Sequence, residues 1–422
     1  MLARLAGDAG RFLRDNARWL VGALLLAFAS SFGQTFFIAL FAEDLRAELG
    51  LSHGDWGTLY ALGTLASAAV FMAVGRLADD LEPFRLVAAV MGGLALVCAF
   101  MAVVTAPWML ALAVFGLRLG GQAMMTHVAV TITARWFVAT RGRALAVVSL
   151  GHPLGEAILP GLAVFAVAAF GWRGAWWAAA ALLLLVLMPL TMTLLSRPRV
   201  PLGSRPSGPD TTAGLGGRHW RRAEVVREPL FWGLLAGFTV SPALGTALLF
   251  QGAHLVSVKG WSLEVYALGF LAYAACSVAG SLVSGVLVDR LGAARLLPVY
   301  LLPLAASLAV AGLFGTEAAV FLYLGLLGFG TGFGFALVSA LWAELYGTLH
   351  LGSIRALASG SGTLATALGP ALTGLLLDAG LGIERQFTLL AIATLGVAAS
   401  FVVLRARIRH LQQTLGPMRD RA

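Results

Sequence analysis

Apolar residues along this chain come in runs of about 20, set off by short polar stretches instead of alternating with them. As helices, runs of that length match a hydrocarbon core roughly 30 Å thick. Twelve are legible: 19–42, 56–75, 86–106, 108–134, 144–170 and 175–195, then 231–256, 265–288, 296–314, 318–343, 356–377 and 387–404. Residues 196–228 between the two sets are rich in Arg, Pro, Gly and Ser, the composition of a mobile linker. The pattern predicts an all-α integral membrane protein with twelve transmembrane helices in two pseudosymmetric six-helix bundles. The first bundle covers 1–195, a linker 196–228, and the second bundle with a short tail 229–422.

A repeat supports the division. Gly75-Arg-Leu-Ala-Asp79-Asp-Leu-Glu82-Pro-Phe-Arg85 lies between the second and third runs. Gly285-Val-Leu-Val-Asp289-Arg290-Leu-Gly292-Ala-Ala-Arg295 lies between the eighth and ninth, with Gly, Asp and final Arg at the same offsets. A charged island repeated after half the chain is the mark of two similar membrane halves joined head to tail.

Composition narrows the class further. Charged residues are 12% and apolar ones 59% of the chain, too few and too many for a soluble fold. The net charge of +9 therefore points to no nucleic-acid partner, and its placement carries more meaning. Arg11, Arg14, Arg18, Arg76, Arg85, Arg135, Arg141, Arg143, the linker arginines, Arg290, Arg295, Arg355, Arg405, Arg407 and Arg409 all fall on one side. Only Arg46, Arg173, Lys259 and Arg385 fall on the other. Basic loops stay cytoplasmic, so both termini are expected in the cytoplasm of a bacterial cell, with the chain in its inner membrane. The N-terminal Arg cluster and Ala27-Phe-Ala29 imitate a secretory signal, but the apolar run continues through Phe41, too long for a signal core. Cys98 and Cys276 fall inside spans and imply no disulfide framework.

These loops lead to a family. The Gly285 to Arg295 stretch resembles the signature loop of the major facilitator superfamily, Gly-x-x-x-Asp-Arg/Lys-x-Gly-Arg-x-Arg/Lys. The Gly75 to Arg85 copy departs from it, with Asp80 for the usual base and Glu82 for the usual Gly. Arg118-Leu-Gly120-Gly121-Gln122 is similar to that family's fourth-helix Arg motif. Gly151-His152-Pro153-Leu-Gly155-Glu156 with Pro160 is similar to its fifth-helix Gly/Pro motif. Arg135-Trp136-Phe137 with Arg141-Gly142-Arg143 resembles a loop of the organic-anion and monocarboxylate (oxalate/formate-like) branches. The resemblance implies that the two loops latch the halves together on the cytoplasmic side. Asp79 would face Arg355 and Asp289 would face Arg143, with Gly75, Arg85, Gly285, Arg290 and Arg295 as the rest of the latch. It also implies a cavity lined by the first, fourth, seventh and tenth helices, making Ser31, Gln34, Thr35, Ser241, Ser339 and Trp342 candidate pocket members.

Ionisable groups inside a span cost several kcal/mol unless paired or wet, which makes each a functional candidate. Arg118 sits near mid-depth with Gln122 one turn on, and a guanidinium there suits a carboxylate or another oxyanion. The other reading is an ion pair or a bond to helix carbonyls. Glu156 is the one acid deep in a span, a turn after His152, and suits proton coupling; alternatively it neutralises Arg118. His127 is offset from the Arg118 face and reads as structural. Gln251 and His254 near the end of the seventh run suit a gate or a substrate contact. Gly328-Phe-Gly330-Thr-Gly332-Phe-Gly334 lacks the strand-then-helix context of a nucleotide loop and suits close helix packing.

No nucleotide-binding lysine loop, metal cluster or nucleophile elbow is present in the sequence, so an enzyme or a cofactor is not expected. The expectation is a monomeric secondary transporter of a small organic anion, by resemblance and by Arg118, coupled to protons through Glu156. The alternatives are a proton-driven exporter of an apolar or cationic compound, and a non-transporting membrane sensor on the same fold. The eighth run carries no basic residue, which weakens the organic-anion reading.

Overall fold

The computed structural model describes the backbone of residues 2–75, 82–137, 140–197 and 213–414, with side chains from Gly10 onward. Every regular element among these residues is helical. Eleven helical segments are long and apolar enough to cross a membrane. One of them, Arg141–Leu195, holds two spans that meet at Gly171. Its φ of 69° and ψ of 170° belong to a region that essentially only glycine enters. Eleven segments with one double give the twelve spans of a multi-pass membrane protein. They are α1 (Gly10–Ala39), α2 (His53–Val74), α3 (Pro83–Met101), α4 (Pro107–Trp136), and α5 and α6 on either side of Gly171. The second set is α7 (Pro229–Phe250), α8 (Leu263–Leu291), α9 (Ala293–Leu313), α10 (Ala319–Tyr346), α11 (Leu351–Asp378) and α12 (Ile383–Thr414).

The contacts divide the chain into two compact units. Met1–Gly50 and Leu62–Pro206 form the first; Leu51–Ala61 and Ser207–Ala422 form the second. The first turns of α2 therefore pack with the second unit.

Within the first unit, α1 and α4 abandon regular α geometry where they meet. α1 tightens into a 3-10 turn over Ser30–Gly33, becomes extended at Gln34 (φ −86°, ψ 153°) and resumes as a helix at Thr35–Ala39. α4 widens into a π-helix over Arg118–Met125. The two irregular stretches touch: a Cβ on Gly121 would lie 2.6 Å from the Gly33 Cα. Irregular backbone inside a membrane protein must find its partners in the protein, so this junction is where polar side chains are needed.

Each unit also ties the end of its third span with a charged side chain. In the first, Arg173 donates to the carbonyls of Ala102 (2.7 Å) and Val104 (2.8 Å) beyond α3 and pairs with Glu48. In the second, Lys259 donates to the Phe314 carbonyl just past α9 (2.8 Å) and pairs with Glu384 (2.8 Å). The short helix after the first span of each unit supplies one partner and the first turn of its last span the other, with acid and base exchanged. A cation at a helix C-terminus is favourable because the last carbonyls lack intrahelical donors.

The second unit is held by close helix contact. A Cβ on Gly328 would overlap the Tyr273 carbonyl, and one on Gly332 the Ser277 carbonyl. α10 and α8 thus meet backbone to backbone, and the glycine-rich run is a packing face in an unbroken helix. Residues 213–228 differ from the mobile linker that composition suggests. The Trp220 amide donates to the Tyr346 carbonyl (3.0 Å), its indole to the Leu215 carbonyl (3.1 Å), and the ring is 7% exposed. Burying one large ring supplies the anchor that composition, being an average, hides.

Candidate functional site

In the first unit, the Gly151-x-x-x-Gly155 face of α5 lies directly on α1. A Cβ on Gly151 would overlap the Leu24 carbonyl, and one on Gly155 the Ser31 hydroxyl. Small residues four apart let helices approach this closely, and the approach carries the side chains between and beyond them to the α1 break. Glu156, 4% exposed, lies 3.3 Å from the His152 ring nitrogen Nδ1. The His152 ring stands edge-on to Phe36 at 6.4 Å.

Arg118 is on the same junction. It is 1% exposed, and its Nη1 donates to the Gly33 carbonyl (3.3 Å) and to the Thr35 hydroxyl (3.4 Å). The guanidinium thus serves a carbonyl that the break in α1 releases from its helix. Ser31 and Thr35 are buried, while Gln34 and Gln122 are half-buried beside them. The structure therefore gathers Ser31, Gln34, Thr35, Arg118, Gln122, His152 and Glu156 into one polar region of the first unit. His127 lies elsewhere, its Nε2 3.1 Å from the Gly75 carbonyl and its ring against Phe71.

The second unit holds a cavity of about 420 Å³ lined by α7 to α11. Ser241, Ser339 and Trp342 are in its wall, and so is Arg355. Arg355 is exposed, and its Nη2 donates to the Ser339 hydroxyl at 3.3 Å. Pro242, inside α7, lines the same space and removes one helix hydrogen bond there. Gln251 is not in the wall; it is 3% exposed and donates to the Thr373 hydroxyl at 3.3 Å. His254 packs against the His53 ring at 4.1 Å. Tyr273 and Tyr300, which the sequence reading passed over, also line the cavity. A tyrosine in an apolar run gives no sign of which way it faces.

Among the latch residues, Arg143, Asp289, Arg290 and Arg295 are exposed and Gly285 is half-buried. Arg85 pairs with Glu82 at 3.6 Å in open solvent, and Asp79 lies outside the described residues. Glu344, not singled out in the sequence, accepts from the Ala293 amide at 2.8 Å. It caps the chain just after Gly292 turns it with a φ of 79°. Among the described residues, no three His, Cys, Asp or Glu side chains cluster as metal ligands.

Similarity to known proteins agrees with this architecture. No curated protein matches the sequence. A crystal structure of a bacterial homolog of the human lysosomal transporter Spinster, inward-facing and unoccupied, superposes with a TM-score of 0.70 at 17% identity, over 95% of this chain and 97% of that one. The occupied form of that homolog gives 0.68 at 18% identity, over 94% and 96%. The nucleoside transporter NupG gives 0.64 at 15% identity, over 93% and 98%. The Major Facilitator Superfamily model matches residues 23–276 and 253–420. With twelve spans in two units and that match over nearly its whole length, the chain belongs to the major facilitator superfamily.

Proposed function

We propose that the protein is a proton-coupled secondary transporter that moves a small organic anion, a carboxylate in the simplest case, across the bacterial cytoplasmic membrane by alternating access. It acts as a monomer with both termini in the cytoplasm. The observation that carries the reading is the Glu156–His152 pair, 3.3 Å apart inside α5 with the carboxylate 4% exposed. An acid at the centre of a bilayer costs about 2.5–3.5 kcal/mol, and purely structural packing would be served as well by an apolar residue. A carboxylate beside an imidazole and a broken helix can gain and lose a proton as the site opens to either side.

Ser241, Ser339 and Trp342 are proposed substrate contacts in the second unit, and Gln34, Gln122 and Arg118 in the first. The loop residues from Gly75 to Arg85 and from Gly285 to Arg295, with Arg143 and Arg355, are the proposed latch. One observation favours the exporter alternative: the cavity wall is largely aromatic and aliphatic, which suits an apolar or cationic compound as well.

The test is uptake into proteoliposomes under an imposed proton gradient. Glu156→Gln should abolish gradient-driven accumulation while exchange of substrate across the membrane without a gradient continues. Accumulation that survives the substitution would remove Glu156 from the coupling step. Uptake of cationic amphiphiles with no response to carboxylates would favour the exporter.

A further inference from the structure

Most polar groups around the second unit's cavity are already engaged. Thr239 donates to the Ala236 carbonyl (2.7 Å), Thr331 to Leu327 (2.9 Å) and Thr366 to Thr363 (2.7 Å), each within its own helix. The Tyr300 hydroxyl is bonded with Ser241. These threonine donors bind their own helices first, so they set the shape of the wall more than its chemistry.

Two groups stand apart. The Trp342 ring is 1% exposed and forms part of the wall, yet its Nε1–H has no hydrogen-bond partner among the described residues. Buried indole N–H groups normally find an acceptor. Arg355 is the one charged residue among those described in the wall, and among the described residues its one bond goes to Ser339. Ser339 and Trp342 are three residues apart on α10, hence on one face, so Arg355 and Trp342 border the same strip. A guanidinium offers five donors in a flat fork, leaving a forked face for a second partner.

The remaining wall is the body of a ligand site. Phe238 and Trp342 stand edge to face with centroids 5.4 Å apart, and Tyr273 and Phe335 continue the apolar surface. The volume of about 420 Å³ falls within the range of about 300–1,000 Å³ usual for small-molecule sites.

We propose that this cavity binds an organic anion with a flat aromatic or similarly apolar body. Its acid group is held by Arg355 and the Trp342 N–H, and its body lies along Phe238 and Trp342. The proposal rests on the organic-anion reading above and sharpens it. Substrate recognition passes from Arg118, which serves the break in α1, to a residue otherwise assigned to the latch. A small polar carboxylate would leave the aromatic wall unused, whereas a neutral aromatic would leave Arg355 without its anion.

Calorimetric titration of the purified full-length protein tests this with benzoate, indole-3-acetate and naphthalene-2-sulfonate, set against benzamide and benzylammonium. Wild type should bind at least one of the anions and prefer it to the neutral and cationic compounds. Arg355→Gln should weaken that binding by about tenfold or more, Arg355→Lys by less, and Trp342→Phe several-fold. Asp79→Asn should not weaken it, because the effect belongs to the ligand and not to the latch. Melting curves establish that each variant is folded, and Arg355→Lys serves if Arg355→Gln is not. Equal losses in Asp79→Asn and Arg355→Gln would overturn the proposal in favour of the latch. Binding indifferent to Arg355 but lost in Arg118→Gln would also overturn it while sparing the organic-anion carrier. Preference for benzamide or benzylammonium would end both, whereas no binding of these aromatic anions by wild type would end this proposal and leave the organic-anion carrier to the uptake test.

Discussion

A buried guanidinium inside a membrane protein is retained only if something uses its donors, and for Arg118 the structure supplies the user. The Gly33 carbonyl and the Thr35 hydroxyl both accept from it, at the one place where α1 leaves helical geometry. Hydrogen bonds to charged groups contribute about 1.5–3 kcal/mol. Arg118→Gln should therefore lower the stability of the purified protein by about that amount, and Thr35→Val by about 0.5–1.5 kcal/mol. Denaturant unfolding measures both, and an Arg118→Gln protein as stable as wild type would show that the guanidinium does not strap the break. The sequence could flag Arg118 because a charge in an apolar run is expensive. It could not say what the charge faces, since the partner carbonyl is freed only by a break in another span. Arg355 is the reverse case: it sits at the rim of a run, where an arginine costs little, and only the fold puts it in a cavity wall.

At the level of elements, the loop ties and the helix contacts make separable claims. Lys259 has a side chain only 3% exposed and serves carbonyls past α9 as well as Glu384, whose side chain is 50% exposed. Losing the lysine leaves the helix-end carbonyls of Gly312 and Phe314 without their cationic donor, whereas losing the exposed acid removes only a surface pair. Lys259→Met should thus cost about 1–3 kcal/mol, and Glu384→Gln at most about 1 kcal/mol. Equal effects in melting curves would mean that the ion pair, not the capped carbonyls, holds this end. The contact of α10 with α8 gives a second pair. Gly332→Val would drive side-chain atoms into the Ser277 carbonyl and should destabilise by about 1–3 kcal/mol or more. Gly285→Ala, with nothing within 4 Å of the new Cβ, should cost nothing and serves as the control in the same melting experiment. The glycine-rich run was recognisable as a packing face because membrane helices associate through small residues. Its partner was not, because several spans are equally apolar.

For the whole molecule, the distribution of basic residues predicts an orientation that can be checked directly. Reporter fusions at either terminus should be active only in the form that requires the cytoplasm, since the basic loops lie on the side of both termini. A periplasmic signal from either end would reverse the orientation and with it the proposed side of the latch. The tie in each unit extends the internal repeat beyond the charged island. Glu48 and Arg173 in the first unit and Lys259 and Glu384 in the second keep the geometry while exchanging the charges. A sequence comparison that matches residue types passes over such a repeat, whereas the positions of the helix ends expose it.

What the sequence determined by itself was the number of spans, the two-unit division and the short list of costly charges. These follow from terms that act locally: the free energy of placing each side chain in hydrocarbon, and the length a helix needs to cross it. Arg118, His152 and Glu156 were legible for that reason. The tertiary structure alone decided which groups meet: Arg118 with the released Gly33 carbonyl, Glu344 with the Ala293 amide, and Arg355 with Ser339 beside Trp342. Inside an apolar medium the hydropathy of one span is nearly indistinguishable from that of the next. Partner choice there rests on backbone breaks, glycine contacts and side-chain direction, which exist only once the helices have packed.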